Sequence, residues 1–382
     1  MKITSACTYA LNIPFRESFR HNLSERDHSD SIVVKVTTDS GVSGYGEAVP
    51  RSYVTGETRG TAVDHIRKVL LPRIMGVDFQ RTDPECLPSS IDRLLRAPFA
   101  DGTVVWNASR AAVELAVMDC LLRSRGLCVS RALPPVRQTV MYSGVVGACS
   151  AARTEAIAGQ CVVAGLRHIK MKISADSGVE RIATVRSIVG PSVSIRLDAN
   201  GAFDLQSATH FLRAAAPYGI DCIEQPMPRG DPRKLAALRA AIPIPVMVDE
   251  SIVTMRDAAA LIAAEAADFF NLRVSKCGGI HNTLAIAERA TSAGIGVQLG
   301  CHVGETAILS AAGRCLAAHL PDVRFVEGSY STRLLVEDIA AEDIPFGSGG
   351  RAPVFTRPGF GITVQEALLH KYADDTTVTR QE

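Results

Sequence analysis

The chain has 382 residues and a formal net charge of +1; 47% of its residues are hydrophobic and 21% are charged. This near-neutral balance gives no reason to expect nucleic acid or an anionic membrane as a partner, and no apolar run approaches the roughly 20 residues that span a bilayer. The first residues lack the apolar segment of a signal peptide, and the ten cysteines are scattered without a CxxC pair. We therefore expect a cytoplasmic protein with reduced thiols, built as two domains or as a large barrel with an attached domain.

Residues 1–130 are predicted to form an α+β domain. Residues 30–48 contain two apolar stretches joined at Asp39-Ser40-Gly41, which predicts two strands and a turn. Helical patterns follow near 57–75, 88–97 and 107–125. Strands followed by helices favour an α+β arrangement.

Residues 131–345 alternate short apolar stretches with amphipathic helical patterns. We expect strands near 139–144, 168–173, 193–198, 220–224, 245–249, 268–274, 295–300 and 323–327. Eight strands with helices between most of them favour a closed (β/α) barrel over an open sheet. Residues 346–382 are rich in Gly and Pro and then polar, so we expect them to return to the first domain, with the last ten residues disordered.

One ionisable residue falls at the C-terminal end of each middle strand of the predicted barrel. These residues are 26, 26, 25 and 27 positions apart along the chain: Lys172, Asp198, Glu224, Asp249 and Lys276. Catalytic groups of such barrels lie at the C-terminal ends of the strands. The spacing therefore predicts that all five side chains meet in one site.

The three carboxylates, Asp198, Glu224 and Asp249, come from neighbouring strands and are expected to crowd one wall of that site. Like charges this close cannot all stay ionised without a cation, and oxygen donors without His or Cys suit Mg²⁺, or Mn²⁺ as a substitute. A single acid is more simply explained as a cap of the following helix, but three at matched spacing favour a metal. We expect Asn200 and Glu250 to support the ligands from a second layer.

The two lysines Lys172 and Lys276 lie on strands half a turn apart, so they are expected to face each other across a metal-held substrate. Lys170 points to the same face as Lys172, because residues two apart on a strand share a face. Its charge is expected to help Lys172 act as a base near neutral pH; a salt bridge from Lys170 to a barrel acid is the alternative. Such a site suits removal of the proton α to a carboxylate, with the metal stabilising the enediolate.

These residues resemble the enolase superfamily, and within it the muconate lactonizing enzyme (muconate cycloisomerase) subgroup. The resemblance rests on K-x-K at 170–172, the three carboxylates, "VDES", "SKCGG" and the "GYGEA" strand, and it spans essentially the whole chain. It implies a (β/α)7β TIM-like barrel closed by an N-terminal α+β capping domain, with Mg²⁺ and two lysines as acid/base catalysts. Lys276 is unlike the mandelate racemase branch, which places a His–Asp pair on that side.

The resemblance also implies that two capping-domain loops, here 15–30 and 50–58, cover the barrel mouth and set specificity. We expect Arg20 or Arg26 to bind a second anionic group of the substrate, unless the charges of this loop pair internally. The other candidate substrate contacts are Tyr53, His302, Glu305 and Glu327.

Two departures from the family patterns bear on the substrate. "GCHVGET" is about one residue longer than usual before Glu305, which leaves this residue either supporting the metal ligands or touching substrate. The segment after the eighth strand, "FVEGSYSTR", lacks the D-x-D with which dipeptide epimerases bind an α-ammonium group.

The sequence thus predicts a homo-oligomeric, Mg²⁺-dependent isomerase that acts on a small carboxylate by cycloisomerisation or by racemisation/epimerisation. One alternative is a dehydratase or lyase that expels a β-leaving group from an acid sugar, a hydroxy acid or an amino acid derivative. Two others are a Schiff-base aldolase using Lys276 and a non-catalytic barrel.

Overall fold

A computed structural model describes residues 1–21, 24–96 and 104–380, without the side chains of residues 20, 21 and 24. The described N-terminal part begins with five strands: β1 (Ile3–Leu11), β2 (Ile13–His21), β3 (Ser24–Ser29), β4 (Ile32–Thr38) and β5 (Ser43–Ala48). Strands β1, β4 and β5 pair antiparallel, so the strand–turn–strand predicted over 30–48 is confirmed. Strands β2 and β3 form a separate hairpin where the sequence predicts a loop.

The helices of this domain agree with the three predicted helical patterns. They are α1 (Arg59–His65), α2 (Leu71–Ile74), α3 (Leu87–Leu95) and α4 (Asn107–Ser124), with a π-helical turn at Ile66–Leu70 and a 3₁₀ turn at Pro84–Cys86. Helix α4 is buried along most of its length and lies directly on β5. A Cβ atom at Gly46 would lie 2.0 Å from the Ala112 carbonyl oxygen, so the glycines of "GYGEA" allow this close approach.

The described barrel region alternates strands and helices. In chain order they are β6 (Thr139–Met141), β7 (Gly144–Val146), α5 (Ala151–Val163), β8 (His168–Lys172), α6 (Val179–Val189), β9 (Ser194–Asp198), α7 (Leu205–Ala215), β10 (Ile220–Glu224), α8 (Pro232–Ala241), β11 (Val246–Val248), α9 (Met255–Ala263), β12 (Phe269–Leu272), α10 (Val274–Cys277), α11 (Ile280–Ser292), β13 (Gly296–Leu299), α12 (Ala307–His319) and β14 (Phe325–Val326).

Strands β7 to β14 form one parallel sheet in sequence order, which is the eight-stranded (β/α)7β barrel predicted from the sequence. The two outer strands approach each other, since the Ser143 amide donates to the Val326 carbonyl at 2.9 Å. The first barrel strand is Gly144–Val146, not 139–144 as predicted. Residues 139–141 instead pair with the later strand Arg351–Pro353 as a small antiparallel ribbon.

The C-terminal segment returns to the capping sheet. Its described elements are α13 (Ser331–Leu334), β15 (Arg351–Pro353), α14 (Glu366–Tyr372) and β16 (Ala373–Arg380). Strand β16 pairs antiparallel with β1, so the predicted disorder of the tail is wrong for residues 373–380. Polar residues suit this strand because it is the edge of the sheet and one of its faces is exposed. The domain boundaries near 130 and 345 stay a prediction.

Buried carboxylates of the capping domain bind the N-termini of barrel helices. Glu47, at the end of β5, accepts hydrogen bonds from the amides of Thr306 (2.8 Å) and Leu309 (3.0 Å) at the start of α12. Glu114, on α4, accepts from the His281 amide at the start of α11 (3.0 Å). Each carboxyl group accepts from free N–H groups at the start of its helix, and burial raises the pKa of both Glu47 and Glu114 to about 8. The two domains are therefore joined next to the ends of β12 and β13.

Replacing Glu47 by alanine leaves buried amides of α12 without an acceptor. We expect Glu47→Ala to lower the free energy of unfolding by about 1–3 kcal/mol. Urea denaturation followed by circular dichroism measures the change. Glu17→Ala, at an exposed position of the same domain, serves as the control, and equal stability of the two variants would contradict this role of Glu47.

Candidate active site

The barrel interior changes from apolar to charged along its axis. At the N-terminal end of the strands, Cys222, Met247 and Phe325 form a small buried apolar cluster. One layer higher, the Arg196 guanidinium stacks over the Phe325 ring at 4.3 Å and donates to Glu327 at 2.6 Å. The apolar layer closes the bottom of the barrel, so the charged groups above it face the C-terminal mouth.

Lys170 occupies the centre of this charged layer. Its ammonium nitrogen lies 2.9 Å from Asp198, 2.8 Å from Glu224 and 3.1 Å from Glu327. Burial alone would lower the pKa of Lys170, but these three carboxylates raise it well above its ordinary value. Lys170 therefore forms the salt bridges that the sequence left as the alternative.

The outer two carboxylates of the triad each hold one of the opposed lysines. Lys172 donates to Asp198 at 2.6 Å, and Lys276 donates to Asp249 at 2.7 Å. Lys276 also donates to the Asn271 carbonyl, which anchors its ammonium group at the mouth between β11 and β12. The two amines are thus bound at the two ends of the row of carboxylates on β9, β10 and β11. That they face each other across a substrate stays a prediction.

The central carboxylate, Glu224, is the least compensated member of the triad. Burial, followed by the charge of Asp198, raises the pKa of Glu224 to about 7 against the opposing effect of Lys170. Burial also acts against ionisation of Asp198 and Asp249, but their cationic neighbours lower both pKa values. Asp198 and Asp249 are therefore ionised, whereas Glu224, which lies between them, needs a further positive charge to ionise fully at neutral pH.

Residues beside the ligands hold them in position. Asn200, in a left-handed backbone conformation (φ 42°), accepts from Lys172 at 2.5 Å and donates to Glu250 at 3.0 Å. Gln225 accepts from the backbone amides of Asp249 (2.9 Å) and Ser251 (3.1 Å), which fixes the third carboxylate. The supporting positions predicted for Asn200 and Glu250 agree with these contacts, whereas Gln225 was missed.

Arg273, which the sequence analysis also missed, lies at the mouth beside the triad. Its guanidinium donates to Asp249, and a terminal nitrogen is 3.9 Å from Glu224. It follows β12 directly and precedes Lys276 by one helical turn. The i, i+3 spacing of Arg273 and Lys276 could have indicated that both basic groups face the mouth.

The donor set fits a divalent cation with a preference for oxygen. Within the described residues, no three His, Cys, Asp or Glu side chains meet in a metal-ligating arrangement, because ammonium and guanidinium groups lie between the carboxylates. The three carboxylates are buried and come from adjacent strands, and Mg²⁺ prefers carboxylate oxygens as ligands. In addition, Glu250 Oε2 is buried without a hydrogen-bond partner in the described chain. Asp198, Glu224 and Asp249 are therefore suited to hold the ion.

The candidate residues of the last strands line a small enclosed cavity behind the mouth. The cavity has a volume of about 10 Å³, about one water molecule, and Glu305, Glu327 and His302 contribute to its wall. Glu305 accepts from the His302 amide and the Ser310 hydroxyl, both at 2.9 Å. Burial raises the pKa of Glu305 to about 7 despite these hydrogen bonds.

His302 is surrounded by positive charge. Burial, followed by Arg273, Arg51, Lys276 and Arg26, lowers its pKa well below the ordinary value. Its imidazole is therefore neutral at physiological pH, and the surrounding cations make this side of the mouth electropositive.

The capping-domain candidates lie in different environments. Arg26 donates to Asp30 at 2.5 Å, so part of the charge of this segment is paired internally. Tyr53 is 37% exposed in the second segment. The side chain of Arg20 lies outside the described residues. The sequence missed Arg51, a buried residue that binds the same Asp30 carboxylate at 2.7 Å.

Comparisons with known proteins define the family. Residues 4–133 match the family described as mandelate racemase / muconate lactonizing enzyme, N-terminal domain, and residues 153–368 match the enolase C-terminal domain-like family. The chain belongs to this family of the enolase superfamily, and it is an isomerase of that superfamily. The family predicted from K-x-K, the triad and "SKCGG" is confirmed.

Individual relatives include racemases and epimerases as well as a muconate cycloisomerase. The chain is 32% identical to the L-Lys-D/L-Arg epimerase of Methylococcus capsulatus over 362 residues, covering 93% of this chain and 96% of the relative. It is 29% identical to the N-succinyl-L-Arg/Lys racemase of Bacillus cereus over 378 residues, covering 97% and 98%.

Solved structures show the same fold. The crystal structure of the Bacillus cereus N-succinyl Arg/Lys racemase superposes with a TM-score of 0.89, at 27% identity and 100% coverage of both chains. The dipeptide epimerase of Cytophaga hutchinsonii, complexed with Mg and D-Ala-L-Val, gives a TM-score of 0.86 at 27% identity, covering 99% of this chain and 100% of that one. In the described part of this chain, no helix is long and apolar enough to cross a membrane.

The buried Glu305 predicts a pH dependence of stability. Its folded pKa of about 7 lies above the ordinary value of 4.5, so its contribution is complete below pH 4.5 and is lost as the pH rises through 7. The free energy of unfolding of the wild type should therefore fall between pH 5 and pH 8. We expect this fall to be about 2–3 kcal/mol smaller in Glu305→Gln, which lacks the titrating carboxyl group. Urea titrations at several pH values measure this, and parallel pH profiles for the two proteins would contradict it.

Proposed function

We propose that this isomerase racemises or epimerises the α-carbon of an N-acylated amino acid by moving a proton between two opposed lysines. The observation that carries the proposal is the arrangement of Lys172 and Lys276. Each amine is bound to an outer carboxylate of the buried triad, at 2.6 and 2.7 Å. A base on each side of one substrate position is what a 1,1-proton transfer requires.

The proposed roles of the chain's own residues follow from this geometry. One lysine, as the free amine, removes the α-proton on its side, and the other, as the ammonium, donates a proton on the opposite side. The reverse reaction exchanges the two roles, so both configurations are substrates. Lys170 stays protonated among its three carboxylates, so we assign it a charge-balancing role.

The triad is proposed to bind Mg²⁺, or Mn²⁺ as its substitute, through Asp198, Glu224 and Asp249. When bound there, the ion supplies the positive charge that orients the substrate carboxylate and stabilises the developing enediolate. Asn200, Glu250 and Gln225 keep the ligands in place. The Mg-containing structure of the related dipeptide epimerase supports this assignment.

The charge of the pocket favours an acylated amino group over a free ammonium. Glu327, the acid after β14, already binds Lys170 and Arg196, so its charge is compensated within the protein. Glu327 is therefore not available to bind an ammonium group of the substrate. An amide nitrogen, as in an N-acyl amino acid or a peptide, needs only a hydrogen bond.

The positive charge around His302 favours a second anionic group on the substrate. Arg26 and Arg51 share the single Asp30 carboxylate, which leaves a surplus positive charge over the mouth. An N-succinyl group would place a carboxylate in reach of such a region, and one relative is named as an N-succinyl amino acid racemase. We propose that Arg26 and His302 contact this group, with Tyr53 and Glu305 as further candidates.

A substrate panel tests the proposed reaction. Chiral chromatography follows N-succinyl, N-acetyl and free amino acids and dipeptides, and product analysis follows cis,cis-muconate and a hydroxy acid, each with Mg²⁺ or with EDTA. We expect Mg²⁺-dependent racemisation that is fastest for N-succinyl amino acids. Lactone formation from muconate, elimination from a hydroxy acid or activity that survives EDTA would each contradict the proposal.

The two lysines should be separately essential. We expect Lys172→Ala and Lys276→Ala each to lower the racemisation kcat by about 10²–10⁴-fold, because each variant lacks the base or the acid of one side. Unchanged melting temperatures would exclude misfolding as the cause. Racemisation by either variant at more than a tenth of the wild-type rate would contradict the two-lysine mechanism.

Arg26 should act mainly on substrate binding. We expect Arg26→Met to raise KM for an N-succinyl amino acid about tenfold, the loss of one charge-assisted hydrogen bond, and to change KM for the N-acetyl analogue far less. Arg153→Met, which removes an exposed arginine paired with exposed Glu17, is the matched control. An equal change in KM for the two substrates would contradict the proposal that Arg26 binds the anionic group.

A further inference from the structure

Arg51 links three separate segments at the barrel mouth. It lies in the second capping segment and is only 4% exposed. One terminal nitrogen donates to Asp30, which follows β3, at 2.7 Å. The other donates to the Val303 carbonyl, in the loop after β13, also at 2.7 Å. The planar guanidinium thus spans both capping segments and the barrel.

A second contact joins two of these segments, the first capping segment and the loop after β13, without Arg51. The Ser29 hydroxyl donates to the Gly304 carbonyl at 2.5 Å. A Cβ atom at Gly304 would lie 3.0 Å from the Phe15 ring and 3.3 Å from the Ser29 Cα, so any larger residue would crowd the capping hairpin here. Gly304 also has a φ of 87°, which favours glycine. The longer loop of "GCHVGET" is therefore a part of the barrel that both capping segments contact.

The docked loop carries His302 at the mouth. The Glu305 amide donates to the His302 carbonyl, and the Glu305 carboxylate accepts from the His302 amide, which closes a tight turn over Val303 and Gly304. Arg51 and Ser29 bind the carbonyls at the apex of this turn. Releasing the apex would free the turn that holds His302.

We propose that Arg51 is a positioning residue that locks the two capping segments to the loop after β13 and thereby fixes His302 at the substrate site. Asp30, Val303 and Pro50 occupy the terminal nitrogens of Arg51. Arg51 therefore acts through the protein rather than by binding substrate. The proposal depends on the location of the active site and not on the identity of the substrate.

Hydrogen–deuterium exchange without substrate tests the lock directly. In Arg51→Met, we expect exchange at residues 300–306 and 26–31 to rise together by about tenfold or more, since a charged hydrogen-bonded group is lost from both contacts. Arg16→Met is the matched control. Arg16 is exposed on β2 and also binds barrel-side carbonyls, of Thr332 and Val336, but away from this loop. Faster exchange near residue 51 with an unchanged 300–306 segment would overturn the proposal.

Two further variants separate the lock from a simple charge effect. Arg51→Lys keeps the positive charge but cannot bridge Asp30 and Val303 at once, so we expect it to exchange like Arg51→Met; full restoration by lysine would overturn the proposal. Gly304→Ala should loosen the same segments with Arg51 intact.

Kinetics supply the last readout. With the N-acyl substrate that the wild type racemises, we expect Arg51→Met to raise KM about tenfold and to change kcat much less, because His302 is displaced while both lysines stay in place. A fall in kcat alone would contradict a positioning role. If the wild type racemises no substrate, the proposed function fails, and the exchange measurement still decides whether Arg51 forms the lock.

Discussion

The active site depends on the mutual compensation of buried charges at the top of the barrel. Five acids and five cations meet there: Asp198, Glu224, Asp249, Glu250 and Glu327 with Lys170, Lys172, Lys276, Arg196 and Arg273. A buried charge without a partner costs several kcal/mol, so each of these groups restricts the position of its neighbours. The same contacts hold one amine at each end of the carboxylate row. The charge pairs of the barrel interior thus also determine where the two lysines of the proposed proton transfer lie.

The capping domain is part of this site rather than a separate cover. Glu47 and Glu114 bind the N-termini of the two helices that follow β12 and β13, beside the segments that carry Lys276 and His302. Arg51 ties the two capping segments to the same side of the barrel. Contacts between the domains therefore concentrate where the substrate is proposed to bind.

The predicted barrel is confirmed, and Lys172, Lys276 and the three carboxylates lie together at its C-terminal end, because both predictions rest on a periodic pattern: one ionisable residue per strand–helix unit. The sequence did not indicate residues whose role depends on tertiary contacts. Arg51 and Arg273 look like ordinary surface charges until the fold brings them to Asp30 and Asp249. The first barrel strand was misplaced because residues 139–141 are apolar enough for the barrel but pair with a strand more than 200 positions later. The tail was misjudged for a related reason: its polar pattern suits an edge strand as well as a disordered end.

The most direct test of the central claim is exchange of the α-proton with D₂O, measured for each enantiomer of the substrate separately. The wild type should exchange both enantiomers. A variant that keeps a single lysine should still exchange one, because the remaining amine can remove and return a proton on its own side. The account predicts opposite preferences: Lys172→Ala exchanges one enantiomer and Lys276→Ala exchanges the other. The contradicting result is that one variant exchanges neither enantiomer while the other variant still exchanges both. The assignment of one lysine to each face would then be wrong.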